Sequence, residues 1–227
     1  MQNTSAEPRT IDSLDSGRTP LGLYVHIPFC QTKCPYCDFN TYAAIEPLMP
    51  QYVAALSAEI TQWGAVLGRP PVASVFFGGG TPSYLPEGDL TALMRAIDRS
   101  FELTTGAEIT VEANPDDLSP GKLNSIRSAG INRLSVGVQS LDDGLLELLG
   151  RRHSAQDALR AYSAALVAGF DNISLDLMYG LPDQSLDQWQ ETVAQIVDLR
   201  PAHLSMYCLT LEGGTPMEKA ISSGAMS

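Results

Sequence analysis

Nowhere in the 227 residues is there a run of the roughly 18 to 20 apolar residues that a membrane-spanning helix needs. Positive charge is also scarce: 14 Lys and Arg stand against 26 Asp and Glu, a formal net charge of −12. That balance argues against a basic face for nucleic acid and against general attraction to anionic lipid, so any membrane contact would be indirect. The first stretch, MQNTSAEPRTIDSLDSGRTP, has no apolar h-region and does not read as a secretory signal. Its polar, Pro- and Gly-containing composition predicts a disordered lead-in over residues 1–20. Without an export signal the expected compartment is a reducing one, the cytoplasm, where clustered cysteines are more often metal ligands or redox groups than structural disulfides.

What is present is a normal supply of core residues, 44% hydrophobic against 18% charged, in a length that α/β barrels reach as a single unit. From Leu21 onward, short apolar runs alternate with helical stretches. The runs are LGLYVHIP, VASVFFGG, EITVEAN, RLSVGVQS, NISLDLMYG and HLSMYCLT. Several are nearly continuous in apolar character, as expected for strands covered on both faces. Between the first two, Met49, Tyr52, Val53, Leu56, Ile60, Trp63 and Leu67 recur at steps of three and four and predict a helix with one apolar face. Ser185 with Gln188 three residues later predicts a capping box, followed by Leu186, Trp189, Val193 and Ile196 along one side of the next helix.

SAGINRLSV (128–136) and VAGFDNISL (167–175) share a layout at an offset of 39 residues, one strand–helix unit, with Gly130 and Gly169 read as left-handed helix C-caps. Six such units in series predict parallel strands joined by right-handed crossovers. Two arrangements satisfy this: an open doubly wound sheet and a partial (β/α)6 barrel of the TIM type. The partial barrel is favoured, because the polar residues at the strand ends suit a barrel mouth. These are Gly78, Gly79, Gly80 and Thr81, then Glu112 and Asn114, then Gln139, then Asp176. Any one of them has an ordinary reading as a turn former or helix cap. Two carboxylates inside apolar strands near the same end are harder to explain by packing, because an unpaired buried charge is costly.

Three of the four cysteines, Cys30, Cys34 and Cys37, fall within eight positions of HIPFCQTKCPYCDFN. A Cys34–Cys37 disulfide would use a C-x-x-C spacing, but redox motifs of that kind do not add a third cysteine four residues earlier. Structural zinc wants four ligands, and His26 is the only nearby fourth. An iron–sulfur cluster fits better: three thiolates would hold three irons and leave one open for a ligand. Cys208 reads as a buried structural cysteine. His26 reads as part of the approach to the cysteine loop, and His153 as a surface residue beside Arg151 and Arg152.

The spacing Cys30-x3-Cys34-x-Tyr36-Cys37 resembles the signature of the radical S-adenosylmethionine (SAM) enzymes. Together with YVHIPFC, FFGGGTPS, EANP, RLSVGVQS and DLMYGLP, in order over about residues 21 to 216, it resembles the oxygen-independent coproporphyrinogen III oxidase family. The resemblance implies a partial (β/α)6 barrel and a [4Fe–4S] cluster on Cys30, Cys34 and Cys37. It further implies that SAM is chelated at the open iron and cleaved by one electron to a 5′-deoxyadenosyl radical. It implies SAM contacts from Tyr24, Tyr36, Gly79, Gly80, Thr81, Glu112, Gln139, Arg151 and Asp176. The family has an oxidase branch, which decarboxylates coproporphyrinogen III, and a haem-chaperone branch, which binds haem and passes it to acceptor proteins. Oxidases carry a further cysteine two residues after the triplet, where this sequence has Phe39, and a longer N-terminal arm. LGRRHSAQDA also reads like the chaperone branch. The implied ligands are the cluster, SAM and haem, or porphyrinogen on the alternative branch. The implied partners are an electron-donating reductase and a haem acceptor. On this reading, residues 21–216 form the radical SAM core, and 217–227 begin a C-terminal domain that the sequence does not contain.

Overall fold

A computed structural model describes residues 19–226, so all but the last two residues of the expected 1–20 lead-in lie outside the described residues. The first strand, β1 (Leu21–Ile27), runs into a two-residue strand β2 (Phe29–Cys30), the cysteine loop and its short parallel partner β3 (Tyr42–Ala43). Helix α1 (Met49–Val66) follows. The chain then alternates through β4 (Pro71–Gly79), α2 (Asp89–Ser100), β5 (Glu102–Ala113), α3 (Pro120–Ser128) and β6 (Arg133–Gln139). A short α4 (Asp143–Leu148) precedes α5 (Ala155–Val167). After it come β7 (Asn172–Tyr179), α6 (Leu186–Asp198), β8 (His203–Cys208) and α7 (Pro216–Ser222).

The main sheet has six strands in the order β1-β4-β5-β6-β7-β8, and every neighbouring pair is parallel. Spatial order follows chain order, with no reversal. That is the arrangement of a partial barrel and not of a doubly wound sheet.

The strands are not covered alike on their two faces. Along β6, Leu134, Val136 and Val138 enter the hydrophobic core, while Arg133, Ser135, Gly137 and Gln139 line a cavity. β7 repeats this, with Ile173, Leu175 and Leu177 outward under the helices and Ser174, Asp176 and Met178 inward. The period of two is that of a half-buried strand. It was hidden in the sequence because Ser and Gly at the inward positions break the apolar runs so weakly.

Helix α1 buries Met49, Val53, Ile60 and Gly64. Trp63 points outward, about half exposed, in place of its expected seat on the apolar face. Its neighbour Gly64 takes the contact instead: a Cβ there would meet the Ser100 carbonyl oxygen at 2.4 Å, so the close approach of α1 to α2 requires glycine. The Ser185–Gln188 capping box is formed at the start of α6. Leu186 lies exposed just past it, while Ile196 is buried. Gly130 and Gly169 have positive φ at the ends of α3 and α5. Near the end of the chain, α7 packs on the barrel: Met217 is buried with Leu145, Leu149, Met178 and Leu181, and its N–H donates to Pro35 O at 3.0 Å.

Candidate functional site

The cysteine loop is gripped from both sides. Gly80 N donates to Ile27 O and Thr81 N to Phe29 O, each at 2.8 Å, which ties the end of β4 to the chain entering the loop. A Cβ on Gly80 would meet the carbonyls of Phe29 and Ile27 at 2.7 and 2.9 Å, so no other residue fits there without displacing backbone. Within the loop, Lys33 Nζ donates to the carbonyls of Phe39 (3.0 Å) and Thr41 (3.1 Å). Cys37 N donates to Cys34 O at 3.1 Å. His26 Nε2 donates to Asn40 O at 2.9 Å, which leaves Nδ1 to accept from the Tyr24 hydroxyl at 3.0 Å. The histidine thus bridges β1 to the far side of the loop, as expected of a residue on its approach.

All four cysteines are free thiols. Cys30, Cys34 and Cys37 are half-buried at one end of a cavity of about 600 Å³. Cys208 is exposed at the end of β8, against the expectation of burial; among the described residues β8 is an edge strand with no neighbour on its far side to cover it. Each loop sulfur has a polar neighbour. The Thr81 hydroxyl donates to Cys30 at 3.6 Å, Arg151 Nη1 donates to Cys34 at 3.6 Å, and the Thr41 hydroxyl lies 3.9 Å from Cys37. Burial pushes the Cys30 thiol up, against the lowering effect of the Thr81 and Thr41 hydroxyls.

The same cavity is lined by Tyr36, Gly79, Gly80, Thr81, Glu112, Gln139, Arg151 and Asp176. Tyr24 stands apart: it is 61% exposed on the edge strand β1 and stacks beside Phe76, which does line the cavity. Glu112 accepts from Gly79 N at 3.0 Å. Gly79 has φ +115°, and a Cβ there would strike the His26 ring at 2.4 Å. Asp176 accepts from the hydroxyls of Ser135 (2.9 Å) and Ser174 (3.1 Å), and Ser174 in turn accepts from His203 Nδ1 at 2.9 Å. Both carboxyls are raised above the usual carboxylate range, chiefly by desolvation. For Glu112 the Gly79 hydrogen bond works against the rise and Asp176 adds to it; for Asp176 the two serine hydroxyls oppose it. Gln139 has φ +66°, rare for a residue with a side chain, at a register shift between β6 and β7. Its side chain accepts from the Tyr207 hydroxyl at 2.7 Å.

Arg151 reaches in from the turn after α4. Nη2 donates to Gly137 O at 2.9 Å and to Asn114 Oδ1, while Nε is buried without a partner. Burial opposes its charge, but Tyr36 and Cys34 beside it outweigh that, and its affinity for the proton rises further. Next to it, His153 is buried, only 3% exposed, where the sequence suggested a surface residue. Its Nε2 donates to Val138 O at 3.1 Å, so packing behind β6 decides its place, not the charged neighbours in sequence. Arg152 also borders the cavity and pairs with Asp116 (2.7 Å) and Asp117 (3.3 Å).

Three further residues take part and had no spacing signal. Asn114 was visible at a strand end but not as the link between Arg151 and Thr81, to whose hydroxyl its Nδ2 donates at 3.3 Å. Tyr207 acts on Gln139, which only the fold brings to it, whereas Thr41 lies four residues from Cys37 in the same loop, where no spacing rule marked it.

This donor set fits the implied groups. Among the described residues no three or more His, Cys, Asp and Glu converge as ligands of one metal ion, whereas three thiols around a shared space suit a cluster whose irons each take one sulfur. SAM carries an ammonium, a sulfonium and a carboxylate. The cavity offers two desolvated carboxyls for positive charge and the Arg151 guanidinium for the carboxylate. No helix among the described residues is long and apolar enough to cross a membrane.

Comparison with known proteins identifies the family. The sequence profile of the Radical SAM superfamily matches residues 24–196. The chain is 42% identical over 204 residues to the Heme chaperone HemW of Bacillus subtilis (strain 168), covering 89% of this chain and 54% of that protein. It is 42% identical over 198 residues to the Heme chaperone HemW of Escherichia coli (strain K12), covering 86% and 52%. Among solved structures, coproporphyrinogen III oxidase (HemN) from Escherichia coli, described as a radical SAM enzyme, superposes with a TM-score of 0.78 at 33% identity, over 84% of this chain and 44% of that one. The chain spans about half the length of the curated relatives it matches.

Proposed function

The chain belongs to the radical SAM superfamily, and on that premise we propose that it is the cluster- and SAM-binding core of a haem chaperone, which binds haem and delivers it to acceptor proteins. The observation that carries the reading is the meeting of three free thiols with Glu112, Asp176 and Arg151 in one cavity. Cys30, Cys34 and Cys37 would hold a [4Fe–4S] cluster, and such a cluster supplies single electrons to a bound sulfonium. Glu112 and Asp176 favour a cationic ligand, because positive charge beside them repays their desolvation. The Arg151 guanidinium, in the cavity wall, is the group suited to a carboxylate. Gly79 and Gly80 let the ligand approach backbone closely. The core would span residues 21–216, with 217–227 leading into a C-terminal domain.

Two features favour the chaperone branch: the identity to proteins named heme chaperones, and Phe39, 66% exposed, where the oxidase branch places a cysteine. The second reading, porphyrinogen decarboxylation, is favoured by the fit to the solved oxidase. A reductase would serve either reading as electron donor, and the cytoplasm is the compartment that suits both.

One anaerobic experiment separates the two readings. The protein, reconstituted with iron and sulfide, is mixed with SAM, reductant and coproporphyrinogen III, and the products are resolved by chromatography. 5′-Deoxyadenosine without porphyrin conversion, followed by saturable haem binding in a spectral titration, is the expected result. Conversion to the divinyl product overturns the chaperone reading. Cys34→Ala is expected to abolish the brown cluster absorption; retained absorption at full iron content would remove the cluster assignment.

A further inference from the structure

Beyond holding a cluster, the cavity wall brings one hydrogen-bond donor to each of its three sulfurs. A cysteine bound to iron has lost its proton, so a hydroxyl or guanidinium beside it can only donate. Thr81 stands 3.6 Å from Cys30, Arg151 Nη1 3.6 Å from Cys34, and Thr41 3.9 Å from Cys37. These donors come from three separate places: the end of β4, the turn after α4 and the cysteine loop itself. Thr41 and Thr81 are 2% and 6% exposed, so little water competes for their hydroxyls. Their direction is also fixed from behind. Asn114 Nδ2 donates to Thr81 Oγ1 at 3.3 Å, which leaves the Thr81 proton for Cys30. Asn114 Oδ1 accepts from Arg151, the residue that donates to Cys34. One amide thus orients the donors of two sulfurs. Thr41 is placed by Lys33, which holds its carbonyl.

We propose that Thr41, Thr81 and Arg151, the last two oriented by Asn114, form a donor cage around the three cluster thiolates that sets the reduction potential of the cluster. Hydrogen bonds to ligand sulfur draw electron density from the irons and favour the reduced state, so the cage raises the potential. The step concerned is uptake of one electron by the cluster from an external one-electron donor, with no bond made or broken in the cage. Asn114 and Thr41 are positioning residues: they act through sulfur or through a donor to it.

The inference rests on the cluster reading, and the test keeps the two apart. The full chain is reconstituted, iron and sulfide are counted, and the cluster is titrated reductively under anaerobic conditions with spectroscopic detection. Thr81→Val and Thr41→Val, which keep shape and lose the hydroxyl, are expected to shift the midpoint to more negative potential at unchanged iron content. Thr81→Ser and Thr41→Ser are expected to restore it, and Asn114→Ala to shift it in the same direction as Thr81→Val. Where a valine variant takes up no cluster, the unsubstituted protein decides: its Fe–S(Cys) stretching bands in resonance Raman spectra are expected to move between H₂O and D₂O. Loaded clusters with equal midpoints, or bands indifferent to D₂O, overturn the donor cage and leave the cluster reading standing. A chain that takes up no iron and sulfide overturns both.

Discussion

His153 is held neutral in a place where charge would be expensive. Burial lowers its pKa from 6.5 to about 4, and the neighbouring Arg151 guanidinium adds to the effect; the hydrogen bond to Val138 O, with Asp116 and Asp157, works the other way. The sign follows directly. Between pH 6.5 and about 4 the unfolded chain binds a proton that the folded chain refuses, so stability present above pH 6.5 is lost as the pH falls. At about 1.4 kcal/mol per pH unit the loss is of order 3 kcal/mol. His153→Gln keeps an N–H for Val138 and removes the titration. In urea unfolding from pH 7.5 to 4.5, the apo variant is expected to lack this share of the acid loss. Equal slopes for the two proteins would show that His153 does not titrate as described. Glu112 and Asp176 contribute with opposite sign, since acids raised by desolvation cost stability near neutral pH and return it on acidification. They are common to both proteins and cancel in the difference. At this scale the sequence displayed what sits next to what along the chain, and little else. The cysteines, Glu112, Gln139 and Asp176 stood out because such residue types are unexpected where strands end. His153 was misjudged because its place is set by Val138 behind β6 and not by the two arginines beside it in sequence, and Asn114 stood out at a strand end without its link between Thr81 and Arg151, which only the fold creates.

At the scale of elements, pattern carried further. The helix over Met49–Val66, the Ser185 cap and the two glycine C-caps were each legible, because each rests on a local rule. The apolar strand runs located six strands but not their two unlike faces. Gly64 is where local preference and packing part: glycine costs about 1 kcal/mol inside a helix relative to alanine, and it is kept where α1 meets the backbone of Ser100. Gly64→Ala gains that propensity and drives a methyl into a carbonyl that a rotamer change cannot move aside. Overpacking of this kind costs about 1–3 kcal/mol, and near the upper end the clash outweighs the gain. At roughly 2–4 °C per kcal/mol for a chain of this size, a melting temperature lower by a few degrees is expected in thermal unfolding. Cluster content should be unchanged, since α1 and α2 meet outside the barrel. A melting temperature equal to or above that of the parent would show that the two helices part at little cost.

For the whole molecule, the consequence of sequential strand order is a sheet that does not close among the described residues. β1 and β8 are its edges. β8 bonds only to β7, and Met206 and Tyr207 are 50% and 40% exposed, whereas Val111 in β5 and Leu134 in β6 are fully buried. Local opening follows buried apolar contact and two-sided pairing, so amide hydrogen exchange is expected to be slowest in β5 and β6 and fastest, among the strands of the sheet, in β8. The cavity couples that weak edge to the cysteine loop. Tyr207 of β8 donates to Gln139, and Gln139 lines the same wall as Arg151 and Cys34. A ligand that fills the cavity binds the folded edge and not the frayed one, so it protects β8 by mass action. Saturating SAM is therefore expected to slow exchange in β8 and at the end of β6 while leaving α2 and α3 unchanged. If β8 exchanges as slowly as β6 without ligand, the edge is not the weak element. If SAM binds and β8 exchange does not respond, Tyr207 and Gln139 do not join the edge strand to the site.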